Sequence, residues 1–452
     1  MKLNKKQTLA LDYLEDDITT ELLYGGGAGG GKSILGCYWL AKMCMKYPGT
    51  RWVMGRNEMT TLKETTLVSF FKVAKMQGLK RGVHYKYIDN PKNIIVFNNG
   101  SEILLKDLKF KPSDENFDDL GSLEITGAFV DEGNQITEKA KNVLFSRIRR
   151  ALDENGLIPK MLITCNPAKS WVYKVFYKPW KENALPAFRK FIQALVTDNT
   201  DISKHYRENL LKLDKVSKER LLFGNWEFDD DPATLMDYER ILECFTNTKY
   251  AVLGQNIYKL TCDVARFGKD KTVIGLWYSP NHVKLLVYKG ISTTQISSII
   301  EGYKLSSNLH IKRIVVDEDG VGGGVVDQTK CTGFVNNSRP LPAPINPKID
   351  PRTGKKLPEN YDNLKSQCYF HLANRVNNGE LYIECEESMQ EFIIEEFEQV
   401  KRHEVDKDGK LKVVPKEKVK EILGRSPDFS DCIMMGELVE LSPKFKVVSL
   451  YD

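Results

Sequence analysis

Two sets of residues in this sequence have the types and spacings that phosphate chemistry requires. Gly26-Gly27-Ala28-Gly29-Gly30-Gly31-Lys32-Ser33 fits the pattern G-x4-G-K-[ST], directly after the apolar run ELLYGG and directly before an amphipathic stretch. In such a loop the backbone NH groups cradle phosphate oxygens, Lys32 neutralises the β and γ phosphates, and Ser33 offers a hydroxyl to Mg2+. A loop of this kind also needs a second metal ligand and a base for water. Asp131 and Glu132 close the apolar run AFVDEG: Asp131 suits the metal, and Glu132 suits orienting or deprotonating the attacking water. Thr164, Cys165, Asn166 and Pro167 end KMLITCNP, where polar side chains at a strand's C-terminal edge could sense a γ-phosphate. Arg56 and the group Arg147, Arg149 and Arg150 are candidates for countering transition-state charge, although most arginines on such helices are simply solvated.

The second set is acidic. Asp263 ends a strand-like run in LTCDVARFGKDKT, Asp317 ends another in IVVDEDGVGGG, and Asp428 and Asp431 open a helical run in SPDFSDCIMMGEL. Carboxylates gathered from strand ends and a helix start suit a two-metal phosphodiester hydrolase, whose ions sit roughly 4 Å apart. Asp428 and Asp431 are three residues apart and can share a helix face. Glu318, Asp319 and Asp270 are secondary candidates. The six histidines and nine cysteines show no zinc-type spacing, so the cysteines read as reduced thiols.

These residues need elements to hold them. Short apolar runs at 21–26, 51–55, 125–131 and 160–166 alternate with amphipathic stretches, which implies crossover units and a mostly parallel sheet. The run 93–105 adds a hairpin turning at Asn-Gly. An acidic, Pro-containing stretch after GNWEF reads as a linker. Strands then resume at 257–268, 271–279 and 282–290 in antiparallel spacing, followed by a helix at about 294–305 and a strand at 313–319. Residues 341–360 hold five of the 18 prolines and read as a long loop. Residues 402–414 read as a hairpin turning at Asp408-Gly409, within a basic stretch whose Lys410, Lys412 and Lys416 are candidate DNA-phosphate contacts. The chain has 452 residues, a net charge of +5, 41% hydrophobic and 28% charged residues. That composition suits two or three globular domains and excludes disorder throughout. With no apolar run long enough to span a bilayer and an acidic N-terminal stretch, the expectation is a protein neither secreted nor membrane-bound.

Taken in order, the motifs KKQ, GGAGGGKS, GRNEMTTLKETT, FVDEG, TCNP, LLFGNWEF, DVARFGKDKT, VVDEDGVGGGVVD, NLKSQCYFHLA and SPDFSDCI resemble the large terminase subunit of tailed bacteriophages over about residues 1–441. The resemblance implies an α/β chain in which an N-terminal P-loop (ASCE-type) ATPase domain, residues 1–228, is followed by a linker, 229–250. A ribonuclease-H-like nuclease domain, 251–441, and a tail, 442–452, complete it. It further implies that Gln7, which alone reads as a surface glutamine, contacts adenine, and that Gly26, Gly31, Lys32, Ser33, Asp131, Thr164 and Asn166 bind ATP with Mg2+. Glu132 would be the catalytic glutamate, and Asp263, Asp317 and Asp431 the nuclease triad holding two Mg2+ or Mn2+ ions, with Asp428 auxiliary. The implied partners are double-stranded DNA, a portal protein, a small terminase subunit and further copies of the chain in a ring on the procapsid, in the cytoplasm of an infected bacterium. The run DENFDDLGSLEITGAF lacks the arginine that some members use as a trans-acting finger. Two other functions share part of the pattern: a host repair or recombination ATPase-nuclease, and a DNA-binding ATPase with an inert nuclease fold.

Overall fold

The computed structural model describes residues 2–442 except 112, 200–201, 228–232, 253, 255, 266–270, 343–359 and 404–408. Asp270, Asp408, most of the proline-rich loop and the tail beyond 442 therefore lie outside the described residues. The chain divides into two units, Met1–Asp230 and Asp231–Asp452.

The first unit is built on eight strands: β1 (Glu21–Gly26), β2 (Arg51–Arg56), β3 (Tyr85–Ile88), β4 (Ile94–Phe97), β5 (Glu102–Asp107), β6 (Gly127–Val130), β7 (Lys160–Cys165) and β8 (Arg189–Ala194). Their order is β3-β4-β5-β2-β6-β7-β1-β8. The pairs β3–β4 and β4–β5 are antiparallel and the rest parallel, so the Asn-Gly hairpin sits at one edge and crossover units form the remainder. β1, β6 and β7 are buried along their whole length, as expected of central strands covered on both faces. One strand, β7, lies between the strand entering the phosphate loop and the strand leading to Asp131, which defines the additional-strand (ASCE) P-loop fold. The helix Lys32–Lys46 buries Leu35, Gly36, Trp39, Leu40 and Met43 on one face. Gly36 is required there: a Cβ would lie 2.3 Å from the Phe129 ring of β6. Trp39 then meets Trp52 of β2 edge to face, 5.3 Å between centroids.

The second unit has six strands: β9 (Lys259–Asp263), β10 (Lys271–Ser279), β11 (His282–Lys289), β12 (Ile314–Asp317), β13 (Thr332–Phe334) and β14 (Tyr382–Glu384). The order is β13-β12-β9-β10-β11-β14. β9, β10 and β11 form an antiparallel meander, and β12 joins β9 in parallel. A three-strand meander extended by parallel strands beside its first member is the ribonuclease-H-like arrangement. The helices Thr293–Ser306, Leu364–Asn377 and Asp428–Met435 cover it, and the Asp428–Met435 helix buries seven of its residues. The expected linker differs in one respect: Tyr238–Glu243 is a helix whose Tyr238 and Ile241 are buried within the second unit. Its acidic composition suggested solvent exposure, yet its apolar residues recur at helical spacing. None of the helices in the described residues is long and apolar enough to cross a membrane. All nine cysteines are free thiols, eight of them buried.

Candidate active sites

In the first unit, parallel register brings three strand ends to one edge. Gly25 of β1 pairs with Cys165 of β7, and Ile163 of β7 pairs with Val130 of β6. The phosphate loop, Thr164–Asn166 and Asp131–Glu132 are consequently neighbours at the C-terminal edge, where such sheets bind ligands. The loop's glycines are steric necessities at two points. Gly31 has φ +77°, in the left-handed region, and a Cβ at Gly26 would lie 2.0 Å from the Ala194 carbonyl.

Lys32 is 8% exposed. Its ammonium donates to the carbonyls of Gly26 (3.1 Å) and Gly27 (2.6 Å) and to Asn166 Oδ1 (3.0 Å). Burial lowers its pKa, while the charges of Glu132 and Asp131 oppose that shift. The Asn166 amide nitrogen faces Glu132 Oε1 at 3.5 Å, so one side chain spans the lysine and the glutamate. Asp131, 2% exposed, accepts from Thr164 Oγ1 (2.6 Å) and Ser33 Oγ (3.2 Å) on one oxygen. Its other oxygen accepts from Thr66 Oγ1 (2.7 Å) and lies 3.5 Å from Arg56. Glu132 sits at φ +53°, ψ +50°, uncommon for a residue with a Cβ. Burial and the adjacent Asp131 raise its pKa.

Gln7 is brought to this site in an unexpected way. Its amide nitrogen donates to the Gly31 carbonyl at 3.1 Å, and its Oε1 accepts from Asn4 N in a capping box that starts the Lys5–Glu15 helix. It therefore ties the first helix to the phosphate loop. Of the arginine candidates, only Arg56 is placed at Asp131. Arg147 donates to the Gly121 carbonyl and Arg149 pairs with Glu124, so both brace the 121–124 turn. Thr66 was not anticipated from sequence; its only signal is the polar TT within GRNEMTTLKETT.

In the second unit, Cys262 of β9 pairs with Val316 of β12, which sets Asp263 and Asp317 side by side at one edge. Gly322 lets the following helix start against this edge, since a Cβ there would lie 1.7 Å from the Asp317 carbonyl. The Asp428–Met435 helix packs beneath: Cys432 Sγ lies 3.4 Å from the Val273 carbonyl, and Asp431, 3% exposed, points into the cluster. Asp317, Asp428 and Asp431 thus lie near enough for their charges to be felt at Asp263. Burial, with the charges of Asp428, Asp431 and Asp317 added, raises the Asp263 pKa well above the carboxylate range. Burial and Asp431 do the same, less strongly, to Asp317, whose Oδ1 accepts from Asp319 N. Asp431 behaves oppositely. Burial would raise its pKa, but Lys365 (2.8 Å) and Lys416 (2.7 Å) hold it well below the usual value. Tyr369 donates to the same Asp431 oxygen as Lys365, at 2.6 Å.

This geometry revises the reading of Lys416 as a DNA contact, because its ammonium is committed to Asp431 and its charge reaches Asp263 and Asp317. Lys412 lies 3.6 Å from Asp362. Asp319 accepts from Asn336, and Glu318 packs over Gly333, so neither faces the cluster as Asp263 does. The donor chemistry suits divalent cations: Asp263 Oδ2 is buried without a hydrogen-bond partner, beside further carboxylates. Even so, among the described residues no three His, Cys, Asp or Glu side chains converge into a ready-made metal site. Lys416 supplies the positive charge there instead.

Several solved structures are similar in arrangement. The large terminase of a thermophilic bacteriophage, in complex with ATP-gamma-S, aligns at 15% identity, over 96% of this chain and 100% of that one, with a TM-score of 0.41. A mutant nuclease domain of the large terminase subunit gp2 of bacterial virus Sf6, with manganese and beta-thujaplicinol, aligns at 17% over 45% and 97%, TM-score 0.36. A mutant ATPase domain of the Thermus phage P74-26 large terminase aligns at 14% over 49% and 94%, TM-score 0.35. These likenesses are too distant to assign residues. No curated protein matches the chain. Residues 23–239 match the family described as "Terminase large subunit, T4likevirus-type, N-terminal", a span that takes in the phosphate loop, Asp131–Glu132 and Thr164–Asn166. The N-terminal unit is thus similar to the terminase large-subunit family over just under half of the chain.

Proposed function

We propose that the chain is the motor subunit of a viral DNA-packaging machine: its first unit hydrolyses ATP to translocate double-stranded DNA into a procapsid, and its second cuts concatemeric DNA. The observation that carries the motor reading is the Lys32–Asn166–Glu132 chain. A terminal phosphate entering between Lys32 and Glu132 would draw the ammonium off the loop carbonyls and free Asn166, so occupancy is felt at the base and at β7 together. Ser33 and Asp131 would hold Mg2+, Glu132 would take the water's proton, and Thr164 keeps Asp131 aimed. Gln7 borders the same loop and is the proposed adenine contact. In the second unit, Asp263, Asp317 and Asp431, with Asp428 auxiliary, would hold two divalent ions. Bound there, the metal supplies Lewis-acid charge for the attacking and leaving oxygens. The partners proposed with this reading are a portal protein, a small terminase subunit and further copies of the chain in a ring, in the cytoplasm of an infected bacterium.

A second reading, a DNA-binding ATPase whose nuclease fold is inert, has one observation in its favour: Asp431 is already neutralised by two lysines. Plasmid cleavage with Mn2+ separates the two. Nicking that disappears in Asp263→Asn supports the nuclease, and no cleavage under any divalent ion supports the inert fold. DNA-stimulated ATP turnover lost in Glu132→Gln, with nucleotide binding retained, tests the motor.

A further inference from the structure

The motif NLKSQCYFHLA opens the Leu364–Asn377 helix, and the start of that helix is tied down on several sides. Asn363 caps it, accepting from Ser366 N at 2.8 Å. Leu364 N donates to the Ser338 carbonyl and Lys365 N to the Asn336 carbonyl, at 2.9 and 3.2 Å. Asn336 is also the residue that reaches the acidic edge. Its amide nitrogen donates to Asp319 Oδ2 at 2.7 Å and lies 3.4 Å from Asp317 Oδ1, which accepts from Asp319 N as well. Ser366 holds the helix from another direction, since its Oγ accepts from Val413 N at 3.2 Å. The helix is thus braced against the turn that contacts Asp317.

From this helix two side chains, four residues apart and so on one face, reach Asp431. Lys365 Nζ and the Tyr369 hydroxyl both end on Oδ1, at 2.8 and 2.6 Å. The tyrosine is 3% exposed, and Ser430 Oγ, 3.1 Å from the hydroxyl, closes its other side. Its bond to Oδ1 has the length of a charge-assisted O–H···O contact. Oδ2 is treated differently. It is buried, and among the described residues it faces no hydroxyl or amide donor, only the Lys416 ammonium at 2.7 Å. Cys432, next to Asp431, touches the carbonyls of Thr261 and Val273, and Val273 pairs with Asp263 between β9 and β10. The start of the Asp431 helix therefore sits at the end of the sheet where Asp263 stands. The two donors on Oδ1 differ in kind: Lys365 opposes an incoming cation by its charge, whereas the hydroxyl holds the carboxylate without neutralising it.

We propose that Tyr369 is a positioning residue of the second site: its hydroxyl fixes Asp431 through Oδ1, so that Oδ2 is the oxygen presented to a divalent cation. This rests on the nuclease reading above. A carboxylate free to rotate must be ordered when the cation arrives; one pinned by a buried ring has its orientation set beforehand. Donors that orient a ligating carboxylate in this way tune the affinity of the site although they never touch the metal. Through Lys365 N and Asn336 the same helix is linked to Asp317, so one frame places both carboxylates.

The test uses the full chain, stripped with EDTA and free of nucleotide, with Mn2+ as the probe. Tyr369→Phe keeps the ring and removes the donor. In a calorimetric titration it should weaken Mn2+ binding roughly 10- to 100-fold, and plasmid cleavage should need correspondingly more Mn2+ while the rate at saturating metal falls less. Ser366→Ala loosens the same helix without touching a carboxylate. Its metal-free melting temperature should fall, with Mn2+ affinity within about twofold of the wild type. Mn2+ bound by Tyr369→Phe as tightly as by the wild type, or more tightly, overturns the proposal and leaves the nuclease reading intact. An equal loss of Mn2+ affinity in Ser366→Ala also overturns it, because the effect would then be general loosening of the helix. A wild-type chain that takes up no Mn2+ would instead sink the nuclease reading, and this proposal with it.

Discussion

The two acidic centres of the molecule handle the same problem, buried carboxylates awaiting a cation, in opposite ways. In the first unit Asp131 is surrounded by hydroxyls from Ser33, Thr66 and Thr164, with Arg56 at 3.5 Å, and the nearby ammonium of Lys32 rests on neutral oxygens. In the second unit Asp431 is bound directly by Lys365 and Lys416, while Asp263 keeps an oxygen with no partner. Hydroxyl donors leave a carboxylate its charge, so a site built from them accepts a metal-nucleotide complex without first losing a cation. A lysine-locked site must give one up, and removing one member of a buried ion pair costs energy. On the proposed reading, the first centre would turn over continually, whereas the second would stay restrained until metal and substrate together outcompete the lysines.

The largest expected effect breaks the comparison on the motor side. Lys32→Ala should reduce ATP turnover by at least about 1000-fold, since charge on the transferring phosphoryl group is the main object of catalysis. Metal-dependent cleavage by the same variant should persist. Loss of both activities in a folded variant would show that the two centres are not independent.

Next in size is Arg425→Ala. This guanidinium is buried between Glu395 and Glu396, and Glu396 in turn accepts from Ser430 N at 2.7 Å, at the start of the helix bearing Asp431. Breaking such a pair costs about 3–5 kcal/mol, read as a lower melting temperature of the second unit. Burial, with Asp428 adding to it, places the Glu396 pKa at about 7, above its ordinary 4.5. The stability linked to that raised value is fully present below about 4.5 and is lost as pH rises through about 7. Glu396→Gln should therefore flatten the melting temperature between pH 4.5 and 7, whereas Arg425→Ala should steepen its decline toward higher pH. A pH profile unaltered in both variants would count against the assignment.

A smaller effect sharpens the contrast itself. Lys416→Ala should destabilise the metal-free chain by about 1–3 kcal/mol, because Asp431 loses one of two cations. Mn2+ should then raise its melting temperature more than it raises that of the wild type. If Mn2+ stabilises both equally, Lys416 does not compete for the site. The smallest effect is expected at Thr66→Val, which removes one neutral donor from Asp131: about 1 kcal/mol in stability and a several-fold weaker apparent Mg2+ affinity, measured by titrating ATPase activity. A loss as large as that of Lys32→Ala would mean that the hydroxyl ring is catalytic and not merely supportive.

What could be read from the sequence follows its local periods. The phosphate loop, the Asp-Glu pair, TCNP and the two acidic strand ends are each contained within a few residues, where backbone geometry dictates function. The Asn-Gly hairpin and the antiparallel succession of β10 and β11 were legible for the same reason. β3, β8, β13 and β14 were not foreseen. β8 is short and polar in part, RKFIQA, and is a strand because β1 needs a partner on that side. The helix at 238–243 was masked by its acidic neighbours.

The sequence by itself determined the chemistry on offer: which acids, which lysine and which glycines, and on which turn of chain each would stand. Tertiary structure alone decided what surrounds them. Thr66 meets Asp131 across 65 residues, Lys365 meets Asp431 across 66, and Leu221 reaches Ala28 across nearly 200. Such contacts follow from how helices pack on a sheet and where long connections return, and neither is encoded in any period of 2 or 3.6 residues. A lysine in a basic run reads the same whether it faces DNA or a buried carboxylate. Lys416 faces the carboxylate because its helix and the Asp431 helix both close on the edge that β9 and β12 form, and buried acids in that position require a cation.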